Sequence, residues 1–292
     1  MFISGSATST ASFATLVIPS EDGATENAIR FYPRFYIRAS DLNPSVTGGY
    51  SSRDGNTIIG FEAGNQHVTN QAQTGHSNTL LGHYAGTSLT SGDHNTFLGH
   101  AAGLGGTVTG DDNTAVGSYA GYNLVNGAAN ILIGQSSGFN MRSGSNNVAI
   151  GDNAFASSRG STQNTIIGSF AGYSVTTGTG AVGLGYKAGY ANKTQGQWIA
   201  IGYEAMGGTP GTNEAAGQAI GYRAMFNAMD GASGTALGGS ALENLVGQYT
   251  IGIGGESGRY ASGSYNTFLG YSAGRGGETS APYSSVTYNT AL

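Results

Sequence analysis

One short pattern of polar and hydrophobic positions recurs along most of this chain. An asparagine or small residue is followed by a threonine or aliphatic, a hydrophobic residue, an aliphatic and a glycine, with an alanine three positions beyond. The clearest copies are Asn78-Thr-Leu-Leu-Gly82-His-Tyr-Ala85-Gly86, Asn113-Thr-Ala-Val-Gly117-Ser-Tyr-Ala120-Gly121, Asn164-Thr-Ile-Ile-Gly168-Ser-Phe-Ala171-Gly172 and Asn266-Thr-Phe-Leu-Gly270-Tyr-Ser-Ala273-Gly274. With the central glycine as marker there are 13 copies, at Gly60, Gly82, Gly99, Gly117, Gly134, Gly151, Gly168, Gly185, Gly202, Gly221, Gly238, Gly254 and Gly270. Most lie 17 residues apart. That unit is too short for a helical hairpin repeat or a propeller blade, but long enough for one coil of a parallel β-solenoid with two short strands and two turns. The pattern therefore predicts an all-β chain, a parallel β-solenoid or β-roll of about 13 coils.

The residue before each marker is aliphatic in all 13 copies: Ile59, Leu81, Leu98, Val116, Ile133, Ile150, Ile167, Leu184, Ile201, Ile220, Leu237, Ile253 and Leu269. Three residues after the marker stands Ala in 11 copies and Ser, at Ser137 and Ser257, in the other two. An aliphatic facing a small residue in every coil, alanine in 11 of them, describes a thin core with little room opposite each large side chain. Alternation along a strand sends the intervening residue to the other face. That second face carries Ile58, Leu80, Phe97, Ala115, Leu132, Ala149, Ile166, Gly183, Ala200, Ala219, Ala236, Gly252 and Phe268, none of them charged or polar. A narrow coil buries one face, so the second predicts a subunit interface along a rod-like homo-oligomer. Asn56, Asn78, Asn95, Asn113, Asn130, Asn147, Asn164 and Asn266 open 8 of the 13 copies, and their amides would stack as a hydrogen-bonded ladder.

Composition narrows the function. Of 292 residues, 52 are Gly, 11 are Lys or Arg, 16 are Asp or Glu and none is Cys. Glycine has no period of three, which excludes collagen, and no window approaches the 18 apolar residues of a membrane span. A net charge of −5 argues against a nucleic-acid-binding surface. The absence of cysteine removes disulfides, thiolate metal sites and cysteine nucleophiles. Met1-Phe2-Ile3-Ser4-Gly5 lacks the basic and apolar regions of a signal peptide, so no secretory export is expected.

Candidate chemistry is thin. All five histidines fall between residues 67 and 100, and His83 and His100 share a repeat position, where a ring of imidazoles about a threefold axis would suit a transition metal. Exposed edge side chains are the simpler reading. Asp93, Asp111 and Asp112 lie in turns without the Gly-Gly-x-Gly-x-Asp nonapeptide of calcium-binding β-rolls. A glycan-cleaving spike needs two carboxylates in a groove, whereas Glu62, Asp152, Glu204 and Glu256 are scattered on coil edges. Tyrosines such as Tyr84, Tyr119, Tyr186, Tyr203, Tyr222 and Tyr271 follow the marker glycine, a pattern that reads first as packing of coil on coil and second as sugar or protein contact. An ice-binding face would need a Thr-x-Thr array, which is missing. No catalytic residue, resident metal or cofactor is predicted.

The Asn-Thr-aliphatic-aliphatic-Gly-x-x-Ala-Gly copies resemble the head repeats of trimeric autotransporter adhesins, left-handed parallel β-rolls whose coils begin with Asn and carry an aliphatic-Gly pair. With Tyr or Phe near the glycine they are still more similar to repeats of bacteriophage tail fibres and related virion adhesins. The resemblance covers about residues 56 to 274. It implies an intertwined or side-by-side homotrimer, other virion proteins as partners and a host-surface glycan or protein as target. Autotransporters also carry a secretion signal and a membrane anchor. Neither is read here, which moves the expectation to a non-enzymatic phage tail fibre or spike assembled in the host cytoplasm and located on the tail or outer capsid surface, without nucleic-acid binding or membrane insertion. The alternatives are a capsid decoration protein projecting from the phage head and a glycan-processing tailspike.

Three regions follow. Residues 1–55 form an N-terminal β attachment segment and linker, with strands expected at 11–18 and 28–38, the second carrying Pro33 at an edge or bulge. Arg30, Arg34 and Arg38 give it a basic stripe, read either as a solvated strand face or as the dock onto the virion. Residues 56–274 are the solenoid shaft, and 275–292 a C-terminal tail that caps the last coil or extends from it.

Overall fold

The computed structural model describes residues 28–31, 35–39, 56–64, 75–194, 196–208, 216–228, 232–276 and 287–292. The expected strand at 11–18, residue Arg34 and the linker before residue 56 lie outside them. The described chain is an all-β parallel solenoid of about 11 turns with no helix.

The segment expected as one strand over 28–38 is instead two, β1 (Ala28–Phe31) and β2 (Phe35–Ala39), paired antiparallel with Phe31 opposite Phe35. Pro33 falls between them. With no N–H it cannot donate to a paired strand. β2 then lies antiparallel on β3 (Thr57–Ile59), with Arg38 opposite Ile58. From β3 onward every pairing is parallel and in register. The strands are β4 (Thr79–Leu81), β5 (Thr96–Leu98), β6 (Thr114–Val116), β7 (Ile131–Ile133), β8 (Val148–Ile150) and β9 (Thr165–Ile167). They continue as β10 (Val182–Leu184), β11 (Ile199–Ile201), β12 (Ala216–Ile220), β13 (Ser233–Leu237), β14 (Thr250–Ile253) and β15 (Thr267–Leu269). Residues of the C-terminal tail add β16 (Thr290–Ala291) to β15 and extend the same parallel order.

The two strand faces are the reverse of the sequence expectation. Ile58, Leu80, Phe97, Ala115, Leu132, Ala149 and Ile166, at the middle of each three-residue strand, are buried in the coil. The aliphatics before the marker (Ile59, Leu81, Leu98, Val116, Ile133, Ile150, Ile167, Leu184, Ile201, Ile220, Leu237, Ile253 and Leu269) point outward and are partly or largely exposed, Leu237 to 45%. They are not the core of the chain. The turn explains the reversal: the marker glycine has φ near +130°, and the residue two beyond it is left-handed, as at Tyr84, Tyr119 and Phe170. This reverses the chain and brings the alanine inward against the middle residue.

Core volume is balanced position against position. Where the mid-strand residue is large, as at Leu80, Phe97, Leu132 and Ile166, the residue four past the marker is Gly86, Gly103, Gly138 or Gly172. Where it is Ala149, Ala200, Ala219 or Ala236, that later position is filled by Phe155, Met206, Met225 or Leu242, all buried. Those four take a left-handed φ of 49–57° that glycine adopts without strain. Trp198 fills the coil of Gly183, its ring 3.2 Å from where a Cβ on that glycine would stand. Such reciprocity keeps a thin interior at native packing density.

The marker glycines are required twice over. At Gly117 φ is +133°, and a Cβ would lie 2.6 Å from the Gly134 carbonyl oxygen of the next coil. No side chain fits either constraint.

Candidate functional site

Three surfaces could carry function: the outward strand face, the turn edge past the marker, and the N-terminal hairpin. The asparagines belong to none of them, because they are interior. Asn130 donates from Nδ2 to the Gly144 carbonyl at 2.8 Å and to Asn113 Oδ1 at 2.9 Å. Its own Oδ1 accepts from the Asn147 backbone N–H at 3.1 Å and the Asn147 amide at 2.9 Å. The bond from the next backbone N–H to the asparagine Oδ1 links Asn56, Asn78, Asn95, Asn113, Asn130, Asn147 and Asn164, all buried, and Asn266 is joined by Asn289 of the tail. Each amide satisfies the backbone of the turn that enters the next coil, which would otherwise be buried unpaired. The role is structural.

The outward strand face presents two columns. One is the aliphatic set just described. The other is Thr57, Thr79, Thr96, Thr114, Ile131, Val148, Thr165, Val182 and Ile199, in register with it. Nothing in the described chain covers this strip.

The turn edge carries aromatic side chains in short stacks. His83 and His100 lie 5.2 Å apart, between Phe61 and Tyr119. Tyr122 stacks on Phe139 and Tyr173 on Tyr190. Tyr186, Tyr203 and Tyr222 form a row, with Lys187 over Tyr186 and Tyr190. Among the described residues no three His, Cys, Asp or Glu side chains converge as a metal group. Asp93 and Asp111 instead accept backbone N–H bonds from His76 and Asp93 of the preceding coils.

Sequence reasoning missed a ladder of alternating charge near the C-terminal end. Arg223 lies 3.8 Å from Glu204 and 3.2 Å from Glu243. Arg259 lies 2.7 Å from Glu243 and 3.5 Å from Glu256, and Arg275 lies 2.8 Å from Glu256. The Glu243 carboxylate is almost wholly buried between two guanidiniums. Burial alone would push the Arg259 guanidinium down, but Glu243, Tyr260 and Glu256 outweigh it and hold it above its usual value. Glu204 and Glu256 are therefore partners of arginines. Glu62 and Asp152 lie on other coils. Of the basic N-terminal stripe, Arg30 is in β1 and Arg38 in β2, opposite Tyr36 and Ala28. No helix of the described residues is long and apolar enough to cross a membrane.

The fold and these columns define a class: the chain is a parallel β-solenoid repeat protein. Comparison with protein-family models, with curated protein sequences and with solved structures gave no match.

Proposed function

We propose that this chain is the shaft of a homotrimeric, non-enzymatic phage tail fibre or spike, attached to the virion through residues 1–55 and contacting a host surface. The observation that carries the reading is the outward strand face. Counted by its marker glycines the shaft has 13 coils, and at roughly 4.8 Å per coil it is about 60 Å long. A strip of that length and about 10 Å wide covers on the order of 600 Å², and its aliphatic column, about half of that, is within the range of the largest apolar patches that monomers leave bare. Packing three such strips around a common axis covers them all and leaves the turn edges outside. The resemblance of the repeats to virion adhesins supports the location.

The test is solution mass followed by virion imaging at a resolution that places the chain. A trimer, found in a few copies at the tail, supports the proposal. A monomer overturns the assembly, and absence from virions overturns the location. Hundreds of copies across the head would make it a decoration protein instead.

A further inference from the structure

One residue past each marker glycine runs a column that forms an edge of the rod. Toward the C-terminal end it reads Tyr186, Tyr203, Tyr222, Gly239, Gly255, Tyr271. The first three rings stack at 5.1 and 5.6 Å with interplanar angles of 27° and 14°. The row stops at Tyr222. No ring follows in this column of the next coil, so among the described residues no ring stacks on the face of Tyr222 turned away from Tyr203, and the residue is 56% exposed. On the far side Tyr271, 79% exposed, leans back over Gly255, where an added Cβ would lie 3.2 Å from its ring.

The backbone demands neither glycine. Gly238 and Gly254 beside them have φ of +138° and +120°, whereas Gly239 and Gly255 are not in the left-handed region. A Cβ on Gly239 would meet nothing within 4 Å. Conformation and packing both admit a side chain there, and its absence keeps a notch open between two tyrosines. Their backbones are three coils apart, roughly 14 Å, and the lean of Tyr271 shortens the opening to about 10 Å. One flat ring lying on Tyr222 at a contact distance of about 4 Å fits that space.

We propose that this notch binds a saccharide ring. The C–H face of a pyranose is apolar and lies on a tyrosine face, while its hydroxyls reach the hydroxyls of Ser240, Tyr222 and Tyr271. Charge argues for a neutral ligand. Glu204, Arg223 and Glu256, one residue farther along the same turns, are held in the ion-pair ladder. The inference deepens the fibre reading and rests on it only for the source of the sugar, a cell-surface polysaccharide.

The experiment titrates the full chain with maltohexaose, cellohexaose and chitohexaose, following saturation transfer by NMR. The wild type is expected to bind at least one in the millimolar range. Gly239→Val, which fills the notch in an allowed conformation, and Tyr222→Ala, which removes the wall, are each expected to weaken binding about tenfold. Both should keep the wild-type circular dichroism. Tyr249→Ala, in a separate stack with Tyr265, should bind as wild type. No binding of any of the three sugars at about 10 mM, or undiminished binding by Gly239→Val and Tyr222→Ala, overturns the site. Because the titration uses isolated protein, absence of the chain from virions would remove the fibre reading and leave this result standing.

Discussion

Leu132 and Ile133 are adjacent in β7 and face opposite ways, so a pair of substitutions separates the interior of the coil from its outer strip. Leu132 is fully buried, and Cβ atoms on Gly121 and Gly138 would lie 3.0 and 2.8 Å from its methyl groups. Leu132→Ala opens a void in a thin interior where glycines and alanines stand beside Leu124, which borders the same Gly121. The cost belongs in the range for buried leucines, about 3–4 kcal/mol. Ile133 is 36% exposed in the single chain. Ile133→Asp leaves the interior untouched and should cost the coil itself less than about 1 kcal/mol. In the assembly the same carboxylate would be buried without a partner, a penalty large enough to disfavour association. The assays are urea unfolding by far-ultraviolet circular dichroism and mass by sedimentation. Leu132→Ala is expected to lower the urea midpoint while keeping the oligomer at low denaturant. Ile133→Asp is expected to keep the β spectrum and sediment as a single chain. An unfolded Ile133→Asp beside a wild-type-like Leu132→Ala would refute the assignment of the faces.

Asn130→Ala strands two buried backbone groups, the Asn147 N–H and the Gly144 carbonyl. At about 1–3 kcal/mol each, the expected loss is about 4 kcal/mol by chemical denaturation. Gly117→Ala drives a methyl into the Gly134 carbonyl oxygen of the next coil at an unfavourable φ, and should destabilise by at least about 2 kcal/mol, read as a fall in melting temperature. Glu243→Ala leaves Arg223 and Arg259 with their outer carboxylates only, and is expected to cost about 2 kcal/mol. Much of that loss should persist in high salt, since the carboxylate is buried.

The period and the marker glycines were legible because they answer to a constraint that repeats in every coil, and the asparagines because theirs repeats in 8 of the 13. The orientation of the strands was not. Alternation over three residues separates Leu132 from Ile131 and Ile133, but it does not say which set is inside. The signal lay in variation rather than constancy. The middle position ranges from Phe97 to Gly183, and it is small where Phe155, Met206, Met225 and Leu242 replace the turn glycine. Only positions sharing one confined volume must compensate in this way. The aliphatic column tolerates Ile, Leu and Val without compensation, as a surface column can. The charge ladder was hidden for another reason. Glu204, Arg223 and Glu256 stand two residues past their markers and Glu243, Arg259 and Arg275 five, so their contact depends on how the turn folds back.

This division of labour also says where specificity can reside. The marker glycine, with a small residue three beyond it, fixes the backbone of each coil, asparagine joins them in 8 of the 13, and the mid-strand position answers only to the interior. The outer strip is nearly uniform from Ile59 to Leu269, which suits a partner that is itself uniform, another copy of the chain. The column past the marker is different. It changes from Phe61, His83 and His100 through Ser118, Gln135, Asp152 and Ser169 to the tyrosines and the paired glycines, with the backbone the same beneath. A column free of the fold's demands, and varied along the rod, is the surface on which recognition of a non-repeating partner can be written.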